Sequence, residues 1–145
     1  PQFPNIKFIH VIADVRNRTM IEPIFKEYKP DVVFHAAAYK HVPLMEDFPP
    51  QAILANVLGT KNVADLSVEY GVKRFVMVST DKAVNPTNVM GASKRIAEIY
   101  VQSLFLKLIE KNKDCNFKYF LESKPNCFIV HLSFKLQQDL FQYQQ

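Results

Sequence analysis

Three short β-prone runs alternate along this chain with three longer segments of helical periodicity. The runs are IKFIHVIA at 6–13, DVVFHA at 31–36 and KRFVMVS at 73–79. Apolar residues at helical spacing follow each run, at 19–28, at 49–70 and from 88 to about 111. Pro30 is predicted to end the first of these helices and Gly71 the second. This alternation is typical of βαβ units, so the sequence predicts an α/β fold built on a doubly wound parallel sheet.

Glycine is scarce in this chain. Its 145 residues contain Gly59, Gly71 and Gly91 and no other glycine, whereas an average chain carries about 7%. A phosphate-binding loop of the G-x-G-x-x-G type needs glycines only a few residues apart. If this chain handles a nucleotide, the loop that cradles the phosphates is therefore not part of it.

Composition limits the class of protein. An apolar share of 48% and a charged share of 22% indicate one globular domain and exclude a disordered segment or a disulfide scaffold. Cys115 and Cys127 lack metal-ligand spacing, which predicts reduced thiols, no metal site and a cytoplasmic location. The chain has neither an 18-residue apolar run nor a signal-peptide pattern, so we expect no membrane contact from this segment.

Basic residues are concentrated in one part of the chain, which has a formal net charge of +4. The range 73–95 contains one acid, Asp81, and five bases: Lys73, Arg74, Lys82, Lys94 and Arg95. A local positive field suits an anionic ligand such as a phosphate or a nucleotide sugar. No interleaving of aromatic and basic residues supports nucleic acid, so we do not predict that partner.

Small or polar residues follow each predicted strand, at Asp14, at 36–38 and at 79–81. Ligands of doubly wound sheets bind at the carboxyl ends of the strands, so these positions predict a site. The segment STDK at 79–82 places a hydroxyl, a carboxylate and an amine together. Met90 and Lys94 follow on one face of the next predicted helix. On these residues alone, a solvated loop before a capped helix remains an equally good interpretation.

Three motifs in this order carry a family resemblance: FHAAAYKHVPLME, NVLGT and STDKAVNPTNVMGASKR. From about Ile12 to about Leu104 the chain resembles the CapD-like polysaccharide-biosynthesis branch of the extended short-chain dehydrogenases/reductases. The family's members are NAD-dependent nucleotide-sugar 4,6-dehydratases, typically acting on UDP-N-acetylglucosamine. The resemblance implies that residues 1–111 are the central part of a Rossmann-like NAD-binding domain that contains the catalytic motif.

The resemblance also implies what this chain lacks. The first strand–helix unit, with its glycine-rich turn, would precede Pro1, and the substrate-binding part would follow. Residues 112–145, which contain a β-prone run at 127–134 and a glutamine-rich end, would be a divergent or truncated tail in which one more strand and helix could lie. We therefore expect a fragment that binds NAD weakly and is inactive alone. Its parent would be a homo-oligomer, with any membrane anchor outside these residues, at the cytoplasmic face of the inner membrane.

The catalytic roles follow from the same resemblance. Thr80 matches the family's serine or threonine, and Lys94 matches the lysine of its YxxxK motif. Met90 occupies the tyrosine position, and methionine cannot exchange the tyrosine proton. Asp81 matches the acid and Lys82 the base of the dehydratase pair. The group that deprotonates the sugar 4-hydroxyl is therefore left open, with Thr80 the nearest candidate, assisted by Asp81 or a water.

The binding roles are implied in the same way. The residues matched to the cofactor are Asp14 at the adenine, the small-residue turn Ala36, Ala37 and Ala38, and Lys40, Asn56 and Lys94. Lys40, His41 and Thr80 are matched to the UDP-sugar, although His41 could equally be an exposed loop histidine. Two alternatives stay open: an epimerase or reductase of the same superfamily, and a non-catalytic Rossmann remnant.

Overall fold

The structure is a computed structural model that describes residues 6–111 and 127–130. The helices are α1 (Arg18–Tyr28), α2 (Val42–Asp47), α3 (Pro49–Ala52), α4 (Gly59–Glu69) and α5 (Val89–Lys111). The strands are β1 (Val32–His35), which follows α1, β2 (Arg74–Met77), which follows α4, and β3 (Cys127–Val130), which follows α5. A π-helical stretch, Ile53–Leu58, joins α3 to α4, and a 3₁₀ turn, Asp81–Ala83, precedes α5. No helix among the described residues is both long and apolar enough to cross a membrane.

The three strands form one parallel sheet in the order β1-β2-β3. His35 pairs with Met77, and Met77 pairs with Val130, so the carboxyl ends of all three strands meet at one edge. The predicted parallel α/β sheet is thus confirmed. The main apolar core joins α1, α4 and α5 to β2 through Phe25, Leu66, Phe75, Met77, Ala97 and Val101.

The first predicted strand, at 6–13, is wrong. Residues 6–13 have no regular secondary structure, and Ile6, Phe8 and Ile12 are 64%, 74% and 98% exposed. A strand is stable only where a neighbour satisfies its backbone groups. Among the described residues β1 pairs with β2 alone, so this run has no strand beside it. The two faces of β1 also differ among the described residues, since Phe34 is 74% exposed and His35 only 4%.

The predicted helix at 49–70 is composite, since α3, the π-helical stretch and α4 follow one another without a break. Gly71 follows with a φ of +69°, which confirms it as the left-handed residue that ends the helix. Helix α2 was not predicted. It is a single short element with Pro43 in its first turn, too brief to show an apolar period.

Strand β3 lies within the β-prone run predicted at 127–134. It pairs in parallel with β2, in register from Arg74 with Cys127 to Met77 with Val130. The remainder of that run, Cys115 and the glutamine-rich end of the chain lie outside the described residues, as does the rest of the predicted tail at 112–145.

Candidate active site

Residues from two strand ends and from α5 line one cavity of about 310 Å³ at the carboxyl edge of the sheet. Its lining comprises Ala36, Ala38, Tyr39, Lys40, Val78, Ser79, Thr80, Lys82, Met90 and Lys94. Most of the residues singled out in the sequence are therefore brought together. The predicted site residues Asp14, Ala37, His41, Asn56 and Asp81 do not line this cavity.

Thr80, Asp81 and Lys82 form a hydrogen-bonded group at the cavity mouth. The Thr80 hydroxyl donates to Asp81 Oδ1 at 2.8 Å, and Lys82 Nζ donates to the same oxygen at 3.3 Å. The Thr80 bond, followed by the Lys82 bond, lowers the pKa of the Asp81 carboxyl. In the free protein Asp81 is thus a carboxylate that accepts hydrogen bonds, and it carries no proton to donate at neutral pH.

Lys94 lies in the wall of the cavity with only 4% of its surface exposed. Its Nζ donates to the carbonyl oxygen of Val78, just past the end of β2, at 2.8 Å. Burial lowers the pKa of the ammonium, and the nearby Glu98 carboxylate acts in the opposite direction. An ammonium has three N–H donors, so the Val78 bond leaves donors for a ligand.

Helix α5 begins unusually close to the 3₁₀ turn that carries Lys82. A Cβ added to Gly91 would lie 2.2 Å from the Lys82 carbonyl oxygen, so only glycine permits this approach. The Asn88 side chain accepts from Gly91 N at 2.8 Å, and Glu46 of α2 accepts from Val89 N at 2.7 Å. These contacts position the first turn of α5, and with it the buried Met90, beside the Thr80–Asp81–Lys82 group.

Asn56 organises the site from behind the cavity. Its fully buried side chain accepts from Tyr39 N at 2.7 Å and donates to Tyr39 O at 3.0 Å. It also donates to Ser93 Oγ at 2.9 Å, and Ser93 in turn donates to Met90 O at 2.8 Å. One amide therefore joins the loop after β1, the π-helical stretch and α5.

His35, at the end of β1, continues this buried polar network. Its Nε2 lies 2.9 Å from Thr60 Oγ1, and the Thr60 hydroxyl donates to Asn56 O at 2.6 Å. Because that hydroxyl has a single proton, the imidazole Nε2 must be the donor to Thr60. Burial, reinforced by the charge of Lys94, lowers the His35 pKa to about 4. The ring is thus neutral at neutral pH.

Asp14 lies apart from the cavity and is held by Arg16. Both carboxylate oxygens accept from the Arg16 guanidinium, the shortest contact being 2.6 Å to NH2. These hydrogen bonds lower the Asp14 pKa. Arg16 NH1 also donates to Gln51 at 3.0 Å, and the guanidinium lies 5.9 Å from the Tyr39 ring. Asp14 is accordingly fixed in place as a carboxylate.

His41 lines an adjoining cleft of about 480 Å³ and not the cavity at the sheet edge. Its Nδ1 accepts from Leu44 N at 3.5 Å, so it caps the first turn of α2. The cleft shares Ala38, Tyr39 and Lys40 with the cavity at the sheet edge. Lys40 is thus the exposed cation common to both.

Sequence reasoning missed Tyr39, Arg16 and Ser93 as site residues. Ser79 was predicted at the site, as a polar residue at a strand end directly before Thr80, but was given no role. Within the described residues its Oγ is the buried side-chain polar atom with no hydrogen-bond partner. Tyr39 takes part through its main chain, and Ser93 through a contact 37 residues away in sequence. Neither contact leaves a pattern in the sequence.

Comparison with known proteins supports the resemblance. The family described as polysaccharide biosynthesis protein matches residues 2–120. The capsular polysaccharide biosynthesis protein CapD of Staphylococcus aureus is 63% identical over 99 residues, which cover 68% of this chain and 16% of that protein. The UDP-glucose 4-epimerase of Rickettsia canadensis is 46% identical over 95 residues, covering 66% and 27%. The chain thus spans a sixth to about a quarter of these relatives' lengths.

Solved structures agree with the fold. Pen from Bacillus thuringiensis superposes with a TM-score of 0.64 at 35% identity, covering 69% of this chain and 31% of that protein. The dTDP-4-dehydrorhamnose reductase of Bacillus anthracis, in complex with NADP, gives 0.60 at 30% identity, covering 63% and 38%. The Rossmann-like fold expected from the sequence is confirmed by these neighbours.

Proposed function

We propose that this chain, which belongs to the polysaccharide biosynthesis protein family, carries the catalytic centre of an NAD-dependent nucleotide-sugar 4,6-dehydratase. UDP-N-acetylglucosamine is the proposed substrate and a UDP-4-keto-6-deoxy-hexosamine the product. The observation that carries the proposal is the Thr80–Asp81–Lys82 group at the mouth of the cavity that Lys94 lines. A dehydration needs both an acid and a base there, and this group contains the side chains for both.

The residues present fit the nicotinamide end of NAD. The cavity wall holds a buried hydroxyl without a partner, Ser79 Oγ, and an ammonium with donors to spare, Lys94 Nζ. Lys94 would hold the nicotinamide ribose, while Ala36 and Ala38 leave room for the cofactor at the sheet edge. When bound, NAD would accept a hydride from C4 of the sugar and later return it to C6.

The Thr80–Asp81 hydrogen bond offers a route for the 4-hydroxyl proton in the absence of a tyrosine. Thr80 Oγ accepts that proton while its own passes to Asp81 Oδ1, 2.8 Å away. Asp81, protonated in this way, can then donate to the departing C6 hydroxyl. One carboxyl therefore serves first as acceptor and then as acid, and its proton count balances.

Lys82 then removes the C5 proton, which the neighbouring 4-ketone has made acidic, and returns it at the end. In the free protein its ammonium is paired with the Asp81 carboxylate, so one ammonium proton must pass to solvent before Lys82 can act as the base. Substrate binding over this exposed pair is what we expect to bring that about.

A second candidate is a nucleotide-sugar 4-epimerase, which the 46% identity to the Rickettsia canadensis relative favours. Epimerisation needs only removal and return of the C4 hydride and the 4-hydroxyl proton. It gives no role to a base placed for C5, so the paired Asp81 and Lys82 favour the dehydratase.

The test is incubation of the whole protein that carries these residues with NAD and UDP-N-acetylglucosamine, followed by NMR of the sugar. A 4-keto-6-deoxy product supports the dehydratase, whereas a C4 epimer with no keto sugar supports the second candidate. Lys82→Met should lower turnover by about 10²–10⁴-fold. The matched control is Lys73→Met, which removes an exposed lysine paired with Asp31 outside the cavity. For residues 1–145 alone we expect weak NAD binding in titration calorimetry, and tight binding would contradict that expectation.

A further inference from the structure

The Ser79 hydroxyl is buried at the cavity wall and has no partner. Its Oγ exposes less than 1 Å², and no group of the described residues hydrogen-bonds to it. The backbone beside it is already engaged, since Val78 N donates to His35 O at 2.9 Å and Val78 O accepts from Lys94. A buried hydroxyl without a partner costs stability, and such groups call for a ligand or a catalytic role as their explanation.

The hydrogen bonds already present limit which ligand groups this wall can bind. The Thr80 hydroxyl donates its proton to Asp81, so toward the cavity it can only accept. Lys94 donates one N–H to Val78, and its other N–H groups can only donate. Of the three side chains, only the Ser79 hydroxyl can both donate and accept a hydrogen bond. Ligand groups that satisfy all three side chains must therefore include donors and acceptors, as hydroxyls do.

Resting on the proposed function, we infer that the Ser79 hydroxyl binds a ligand carrying adjacent hydroxyls, by turning about its Cα–Cβ bond into the cavity. In the proposed function the hexose 4-hydroxyl donates to Thr80 and a ribose hydroxyl accepts from Lys94, so the hydroxyl bound by Ser79 is the neighbour of one of these two. Rotation between staggered side-chain positions lets Oγ reach the cavity that Ser79 already lines. The diol comes either from a ribose of the dinucleotide or from the hexose.

The test compares Ser79→Ala with the wild type in the whole protein that carries this chain. Dissociation constants for NAD and, separately, for UDP-N-acetylglucosamine are measured by calorimetry, and Tm is measured without ligand. Ser67→Ala is the matched control, because the Ser67 hydroxyl is also buried but donates to Val63 O at 2.7 Å on α4, outside the cavity. It should leave both dissociation constants unchanged.

We expect Ser79→Ala to weaken binding of one ligand about tenfold, the loss typical of one hydrogen bond. The free protein should keep or raise its Tm, because the deleted hydroxyl has no partner. Weaker NAD binding identifies the ribose as the diol, and weaker sugar binding identifies the hexose. Unchanged binding of both ligands, or a lowered Tm of the free protein, would overturn the inference while leaving the proposed function intact. If the wild type binds neither ligand, the proposed function fails together with it.

Discussion

Asn56 holds Tyr39 by both of its main-chain polar groups, accepting from the amide at 2.7 Å and donating to the carbonyl at 3.0 Å. Tyr39 lines both the cavity at the sheet edge and the adjoining cleft. The Asn56 side chain, from the π-helical stretch, thus fixes the wall that the cavity and the cleft share. Such π-helical turns are frequent at functional sites.

Removing this amide should destabilise the fold. Asn56→Ala leaves the Tyr39 backbone groups and Ser93 Oγ without their partner, so we expect the free energy of unfolding to fall by about 2–3 kcal/mol. Urea unfolding measures it. The exposed Asn85→Ala is the control and should change the value by less than about 0.5 kcal/mol. If Asn56→Ala lowered the free energy of unfolding as little as Asn85→Ala does, these hydrogen bonds would not be what holds the loop.

Gly91→Ala separates helix propensity from close packing. In an ordinary helix position the change stabilises by about 1 kcal/mol. Here the new Cβ would lie 2.2 Å from Lys82 O, so we expect a loss of about 1–3 kcal/mol and a lower Tm. Ala92→Gly, one residue along, controls for glycine in the same turn. A stabilised Gly91→Ala protein would refute the close approach of α5 to the turn.

His35 should make stability depend on pH between its two pKa values. Its pKa is about 4 when folded and near 6.5 when unfolded, so below pH 6.5 the unfolded chain binds the proton more readily. Stability is complete above pH 6.5 and falls as the pH drops toward 4, by up to about 3 kcal/mol. Urea unfolding at pH 7.5 and pH 5 measures this.

The comparison protein is His35→Gln, which should lose much of that pH dependence. The control is His10→Gln, because His10 is exposed and should leave the dependence as it is. An equal pH dependence in the wild type and in His35→Gln would assign the effect to other groups.

The Asp81 carboxyl should respond to both Thr80 and Lys82. The Thr80 hydrogen bond is the largest single cause of its lowered pKa, followed by the Lys82 hydrogen bond and charge, so Thr80→Val and Lys82→Met should each move that pKa up. Carboxyl-carbon NMR titration measures both shifts. An unchanged Asp81 pKa in Thr80→Val would weaken Thr80 as the relay to Asp81.

Much of the fold could be predicted because periodicity and helix ends are local. Pro30 and Gly71 were read correctly as helix terminators, and the apolar runs of β1 and β2 as parallel strands. The run at 6–13 has the same local character but no strand beside it, and a pattern cannot show that a partner is missing. Helix α2 was not predicted because its 6 residues are too few to show a helical period of apolar residues.

The sequence alone determined which residue types follow each strand, and hence that Thr80, Lys82, Met90 and Lys94 would meet at one edge of a parallel sheet. Tertiary structure decided which residues line the cavity: Ser79 and Tyr39 do, whereas Asp81 is joined to it through Thr80 and Lys82, and Asn56 through Tyr39. The reason is physical. Spacing along the chain sets the face on which a side chain lies, but hydrogen-bond distances depend on how closely α5 packs on the 3₁₀ turn, and Gly91 sets that distance.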